Sequence, residues 1–287
     1  TPPKSYFAIF DGNGFKGEVF EEQHGWRLLV CGVGAFEDNV LRRLAEDGAD
    51  IILNYKSDSA TAEETAAEIR ALGRRTWVFQ ADMKDDKAIR GMCKQITDEV
   101  GQLDILVHNA AFGTMGSILR MGLFSWRAAM DINVTALLLL SQHLAPLLEK
   151  SGGHIIGLSS IGADMTFSEY ACIGVSKAAM EALVRYLAYE LAAKGIHCNG
   201  VSAGPVETRA LDWFKWPDAV HRYASTKSPW GRIGQPTDLS GVISFLCTED
   251  ADWITGQIIR ADGGISMGED FNDWLTEEQK AEANKGK

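Results

Sequence analysis

Short runs rich in Ile, Leu and Val alternate along the chain with longer amphipathic stretches. The apolar runs are Arg27–Gly32, Ala49–Asn54, Arg75–Ala81, Leu103–Asn109, His154–Ser159, Ile196–Ser202 and Gln257–Ala261. Little polar alternation interrupts them, as expected of strands covered on both faces. Helical periodicity fills the intervals, over Thr61–Leu72, Asp85–Val100, Trp126–Glu149 and Val175–Ala193. Alternation of this kind predicts right-handed crossovers and one doubly wound parallel sheet flanked by helices. Ligands of such sheets sit at the carboxyl ends of the strands, so the residues just after each run are the candidates for function.

Two segments depart from the pattern. Residues 1–25 hold two short apolar runs around Asp11-Gly12-Asn13-Gly14 and predict a small hairpin. Residues 269–287 are polar and acidic and predict a surface tail. Residues 26–268 are expected to form one catalytic domain, since a chain of 287 residues can bury one large core.

Composition narrows the partners. An apolar fraction of 46% is ordinary for a globular protein, and 39 acidic against 28 basic residues leave a net charge of −11. That balance disfavours nucleic acid and anionic membranes as partners. The five cysteines are scattered and odd in number, without metal-ligand spacing, which predicts free thiols, a reducing cytoplasmic setting and no metal. No stretch carries the marks of a secretory signal. The run Leu137–Leu140 is short and flanked by Asn133, Thr135, Ser141, Gln142 and His143, so a buried helix is expected there and not a membrane span.

The chemistry-bearing residues follow the strands in order: Asp82, His108-Asn109-Ala110-Ala111, Asn133, Ser159-Ser160, Tyr170 with Lys177, Gly204 to Thr208, and Asp262-Gly263-Gly264. Each is weak alone. In this order, from about Trp26 to Gly264, they resemble the short-chain dehydrogenase/reductase family, whose fold is a Rossmann-type sheet. The resemblance implies Tyr170 as proton donor, Lys177 as its tuner and a ribose contact, and Ser160 as a hydrogen bond to the reacting oxygen. It implies Asn133 as the holder of a water that links Lys177 to solvent. A tyrosine hydroxyl has an ordinary pKa of about 10, and a nearby ammonium would lower it towards neutrality. The bland alternatives are a buried, satisfied Tyr170 and a Lys177 that only snorkels to the surface.

The spacing is unusual. Tyr170 precedes Lys177 by seven residues, and the position four before Lys177, where most members carry tyrosine, is Ile173. Seven residues are two helical turns, roughly 10.5 Å of rise, so Tyr170 must stand at or before the helix start, with Thr166 or Ser168 as cap. The pattern is similar to enoyl-thioester reductases, and the run Tyr170–Leu183 resembles the enoyl-acyl-carrier-protein reductase III branch. That branch has a serine where this chain has Ala163.

The resemblance also implies a dinucleotide, NADPH ahead of NADH, held by Gly32, Gly34, Lys56, Asp82, Asn109, Lys177 and Thr208. The glycine-rich turn after the first strand is degenerate, however, with only Gly32 and Gly34 kept. Glu37 and Asp38 follow, and carboxylates facing that spot would repel a pyrophosphate. The second strand ends Asn54-Tyr55-Lys56, with no acid for a ribose 2′-hydroxyl and a lysine suited to a 2′-phosphate. Trp213-Phe214-Lys215-Trp216-Pro217 lies where the family has a substrate lid and would supply an apolar wall. The expected function is NAD(P)H-dependent reduction of an enoyl or keto substrate, small or thioester-linked, by a homotetramer or homodimer. A non-redox acid–base enzyme that has lost its dinucleotide is the rival, and a scaffold with a relic site is the third reading.

Overall fold

Seven strands align side by side in parallel. The computed structural model describes residues 26–31, 35–208, 211, 214 and 216–268, apart from the side chains of residues 35–39. The expected hairpin at 1–25 and tail at 269–287 lie outside the described residues, as do Gly32 and Gly34. The strands are β1 (Arg27–Cys31), β2 (Asp50–Tyr55), β3 (Thr76–Gln80), β4 (Ile105–His108), β5 (His154–Ser160), β6 (His197–Ala203) and β7 (Ile258–Ala261). Their order across the sheet is β3-β2-β1-β4-β5-β6-β7, and every pairing is parallel. Every predicted strand is present, with ends moved by one or two residues.

Successive residues of a strand point to opposite faces, and both faces are covered. Leu29, Ile52, Leu106 and Ile155 enter one apolar cluster, whereas Leu28, Ile51, Ile105 and Ile156 enter another on the far side. The covering helices are α1 (Ala35–Glu46), α2 (Ser59–Ala71), α3 (Asp86–Gln95), α4 (Leu123–Met130), α5 (Ala136–Leu148), α6 (Ala171–Leu191), α7 (Pro217–Lys227) and α8 (Pro236–Leu246). Of these, α3, α5 and α6 cover the first face; α1, α2 and α8 cover the second. Asp85 caps α3 by accepting from the Lys87 and Ala88 amides at 2.8 and 3.2 Å.

The helix predicted at 126–149 is two helices joined by a π-helical turn, Asp131–Thr135. The stretch Leu123–Leu148 is long and apolar enough to cross a membrane by length and composition. Its Leu137, Leu140 and Leu144 are fully buried in the protein's own core, as a core helix requires.

The chain order reverses between β1 and β4, which opens a crevice at the carboxyl ends of these strands. Ser160 ends β5, and α6 follows it, so the site assembles along that edge.

Candidate active site

Tyr170 occupies the cap position of α6, as its distance from Lys177 requires. Neither Thr166 nor Ser168 caps the helix; Tyr170 stands there with no side-chain cap bond. The preceding residue, Glu169, turns the chain with a left-handed φ of 63°, a conformation that costs a non-glycine residue roughly 1 kcal/mol or more. The Glu169 carbonyl accepts from the Gly116 amide at 2.9 Å. Gly162 passes directly beneath the tyrosine ring, where a Cβ would lie 2.4 Å from Tyr170 Cε1. A Cβ on Gly174 would lie 2.5 Å from the Gly162 carbonyl oxygen, so α6 meets the turn after β5 backbone to backbone. Ile173, in the position of the more usual tyrosine, packs on the Gly113 backbone instead.

The result brings two predicted residues together: the hydroxyls of Ser160 and Tyr170 lie 3.2 Å apart. Aromatic rings enclose the tyrosine, with Phe167 edge-on at 6.0 Å and Phe214 stacked at 6.5 Å. Phe214 belongs to the predicted lid and does reach the site; Trp213 and Lys215 lie outside the described residues, and Trp216 is exposed. Burial pushes the Tyr170 hydroxyl above its ordinary pKa, and the Ser160 contact offsets part of that rise.

Lys177 is 5% exposed, and its ammonium donates to the Leu158 carbonyl at 2.6 Å. Snorkelling is thereby excluded. Burial pulls its pKa down to about 8, against the pull of Glu181 in the other direction. The ammonium turns to Leu158 and makes no hydrogen bond to the tyrosine. His108 is wholly buried and its Nε2 lies 3.0 Å from the Ile132 carbonyl. Burial and the Lys177 charge hold it down to about 3, so the imidazole is neutral and Nε2 carries the proton.

Asn133 sits in the π-helical turn, a distortion common at functional sites. Its Oδ1 accepts from the Phe112 amide, and its Nδ2 donates to the Phe112 carbonyl and to Ser176 Oγ, all at 2.8 Å. Both amide hydrogens are therefore spent on protein.

Of the residues expected at a dinucleotide, Gly32 and Gly34 lie outside the described residues. Glu37 and Asp38 fall in the first turn of α1, with side chains likewise undescribed. Lys56, just after β2, is not an isolated lysine: its ammonium is 3.0 Å from the Asp82 carboxylate, just after β3. Burial raises the Asp82 carboxyl, but the Lys84 amide and the Lys56 ammonium outweigh it and hold the group below its ordinary value. Asn109 follows β4 and Thr208 follows β6, both half-buried. Ammonium, carboxylate, amide and hydroxyl groups thus line the carboxyl edge on both sides of the β1–β4 crevice. That donor set fits the phosphate, ribose and base of a dinucleotide.

Sequence reasoning passed over Gly162, Phe167 and Glu181. Glu181 carried a signal, standing one helical turn beyond Lys177 on the same face. The close approach at Gly162 carried none.

Residues 38–266 match the family described as Enoyl-(Acyl carrier protein) reductase. The 1-cyclohexenylcarbonyl-CoA reductase of Streptomyces collinus is 30% identical over 78% of this chain and 80% of the relative. The NADH-dependent enoyl-acyl-carrier-protein reductase of Aquifex aeolicus is 30% identical over 85% of this chain and 92% of its own length. Among solved structures, a short-chain dehydrogenase from Burkholderia cenocepacia in complex with NADP superposes with a TM-score of 0.77 at 29% identity, covering 85% and 98% of the two chains. With the parallel seven-stranded sheet and the Ser160–Tyr170 contact already in place, these matches make the chain a member of the short-chain dehydrogenase/reductase family of oxidoreductases.

Proposed function

We propose that the protein reduces the carbon–carbon double bond of an α,β-unsaturated thioester, using NADPH ahead of NADH. One observation carries the reading: the seven-residue spacing is realised with Tyr170 at the helix cap and its hydroxyl on Ser160. Hydride for the β-carbon would come from the nicotinamide of a dinucleotide bound along the strand ends that carry Lys56, Asp82, Asn109 and Thr208. Ser160 and Tyr170 face the thioester carbonyl oxygen, where negative charge develops as the hydride adds. Tyr170, kept protonated by burial, has a proton to donate to that oxygen, and the enol so formed becomes the saturated thioester by losing the oxygen-bound proton and gaining one at the α-carbon. Phe167 and Phe214 exclude water from the reacting atoms. Lys177 acts as tuner when its ammonium faces the tyrosine and a ribose.

Support for NADPH comes from Lys56, whose side chain is 65% exposed and whose ammonium is available to a 2′-phosphate in exchange for Asp82. A cleft of about 270 Å³ borders Glu169 beside the tyrosine and offers the Arg120 guanidinium to the anionic part of a thioester carrier. Tyr186 and Tyr189, 71% and 86% exposed on α6, are surface of the kind a homo-oligomer covers. The non-redox rival has less in its favour, since the named relatives are reductases.

Two measurements test the reading. Crotonyl-CoA should be reduced faster than acetoacetyl-CoA by the same preparation; a clear preference for the ketone overturns the enoyl assignment. NADPH and NADH should each saturate in a calorimetric titration, NADPH at lower concentration. No saturation by either at millimolar concentration ends the reductase reading and moves the non-redox enzyme to first place.

A further inference from the structure

Glu181 lies on α6 four residues beyond Lys177 and is 4% exposed. Its Oε1 accepts a hydrogen bond of 2.6 Å from Ser159 Oγ. Ser159 is the neighbour of Ser160 on β5, so this bond joins the helix that carries Lys177 to the strand that carries Ser160. Buried carboxylates are rare and are usually held by a cation. Here no lysine or arginine hydrogen-bonds Glu181 among the described residues, and a serine holds it instead.

The charges around the pair are few. Lys177 feels the Glu181 carboxylate one helical turn along α6, without an ion pair between them, and His108 from β4, whose ring is neutral. Glu181 senses Asp164 from the turn after β5, Arg185 from α6 and Arg260 from β7. Arg260 is already ion-paired with Asp164. Among the described residues Glu181 is thus the buried carboxylate nearest to Lys177 in the helix, one turn away, and its charge favours the ammonium. An ammonium so deeply buried, with one carbonyl partner, sheds its proton readily unless a carboxylate opposes the loss.

We propose that Glu181 is a positioning residue of the reaction centre: its carboxylate is the counter-charge that keeps Lys177 an ammonium, and its bond to Ser159 holds α6 in register with Ser160. The inference rests on the reading of Lys177 and Tyr170 as the working pair. Burial pushes the Glu181 carboxyl up and the Ser159 hydroxyl opposes the rise, so the serine is part of the device.

The test titrates the Lys177 ammonium directly by ¹⁵N-lysine NMR, with a Lys177→Met variant to assign the resonance. Glu181→Gln should lower the Lys177 midpoint by about one pH unit or more. The alkaline limb of crotonyl-CoA reduction should move down by the same amount, because the charged form is then lost earlier as pH rises. Glu181→Asp should recover part of both shifts. An unmoved midpoint in folded Glu181→Gln overturns the proposal. If that variant fails to fold by circular dichroism, Ser159→Ala decides: a smaller downward shift supports the proposal and none overturns it. A midpoint shift in Glu181→Gln, alongside a wild-type protein that reduces no thioester, refutes the functional reading and leaves the counter-charge standing.

Discussion

Replacing Gly162 with alanine is the most direct probe of the tyrosine's placement. The added methyl would stand 2.4 Å from Cε1 and 2.7 Å from Cδ1 of Tyr170. A carbon–carbon contact needs about 3.5 Å, so the ring or the turn must yield by roughly 1 Å. The turn is held by the Gly162 amide, which donates to Ser160 Oγ at 3.1 Å, and from behind by Gly174. The ring is held by Phe167 and Phe214. A displacement of that size carries the Tyr170–Ser160 contact from 3.2 Å to about 4 Å, beyond hydrogen-bond reach. Misplacement by about 1 Å can cost on the order of 10²-fold in rate. The expected loss in kcat/KM for crotonyl-CoA is therefore about 10- to 100-fold, or ~1.4–2.7 kcal/mol of transition-state stabilisation. NADPH affinity should stay within about twofold, since the ring and not the nucleotide edge moves. Steady-state kinetics beside a cofactor titration read both quantities. A folded Gly162→Ala protein with wild-type kcat/KM would falsify the tight-cradle argument.

Other perturbations have equally definite outcomes. Tyr170→Phe should lose at least about tenfold in turnover with the fold intact, and Lys177→Ala at least as much; wild-type turnover in Tyr170→Phe removes that residue from the mechanism. Glu169→Gly relieves the left-handed strain and should raise Tm by about 2–4 °C, whereas Glu169→Val should lower it; the reverse order in a thermal melt contradicts the backbone assignment. Burial holds His108 down to about 3, and burial with the neighbouring His197 holds His154 down to about 4. The unfolded chain then binds more protons, so stability should fall as pH drops from about 6.5 towards 4, by up to ~1.4 kcal/mol per pH unit for each ring. His154→Asn should flatten that dependence in urea titrations across the window, and an unchanged slope would refute the histidine origin.

The sheet was legible because buried parallel strands announce themselves as unbroken Ile, Leu and Val runs, and each of the seven falls where such a run predicts it. The π-helical turn at Asp131–Thr135 escaped notice because the apolar face of α4 and α5 runs through it. Helix α7 was hidden behind an aromatic run that reads as a lid, although Pro217 marks its first turn. Within the site, the meeting of Ser160 and Tyr170 is what the family resemblance implies. The partner of Lys177 was not legible, because it is a backbone carbonyl, and any residue type at position 158 would offer one. The Lys56–Asp82 pair was equally hidden. Each residue could be assigned to a strand end, but their contact depends on β2 and β3 being neighbours in matching register.

Asn133 has a consequence for how the enzyme can change. One side chain pins the loop at Phe112 and the helix at Ser176, the residue beside Lys177. A push on the loop is thus delivered to the lysine with almost no slack, and the floor of the site behaves as one plate. New substrates are accommodated most readily at the edge of the roof, where Tyr223 rests on Phe167, because there a side chain can be exchanged without touching the Tyr170 ring.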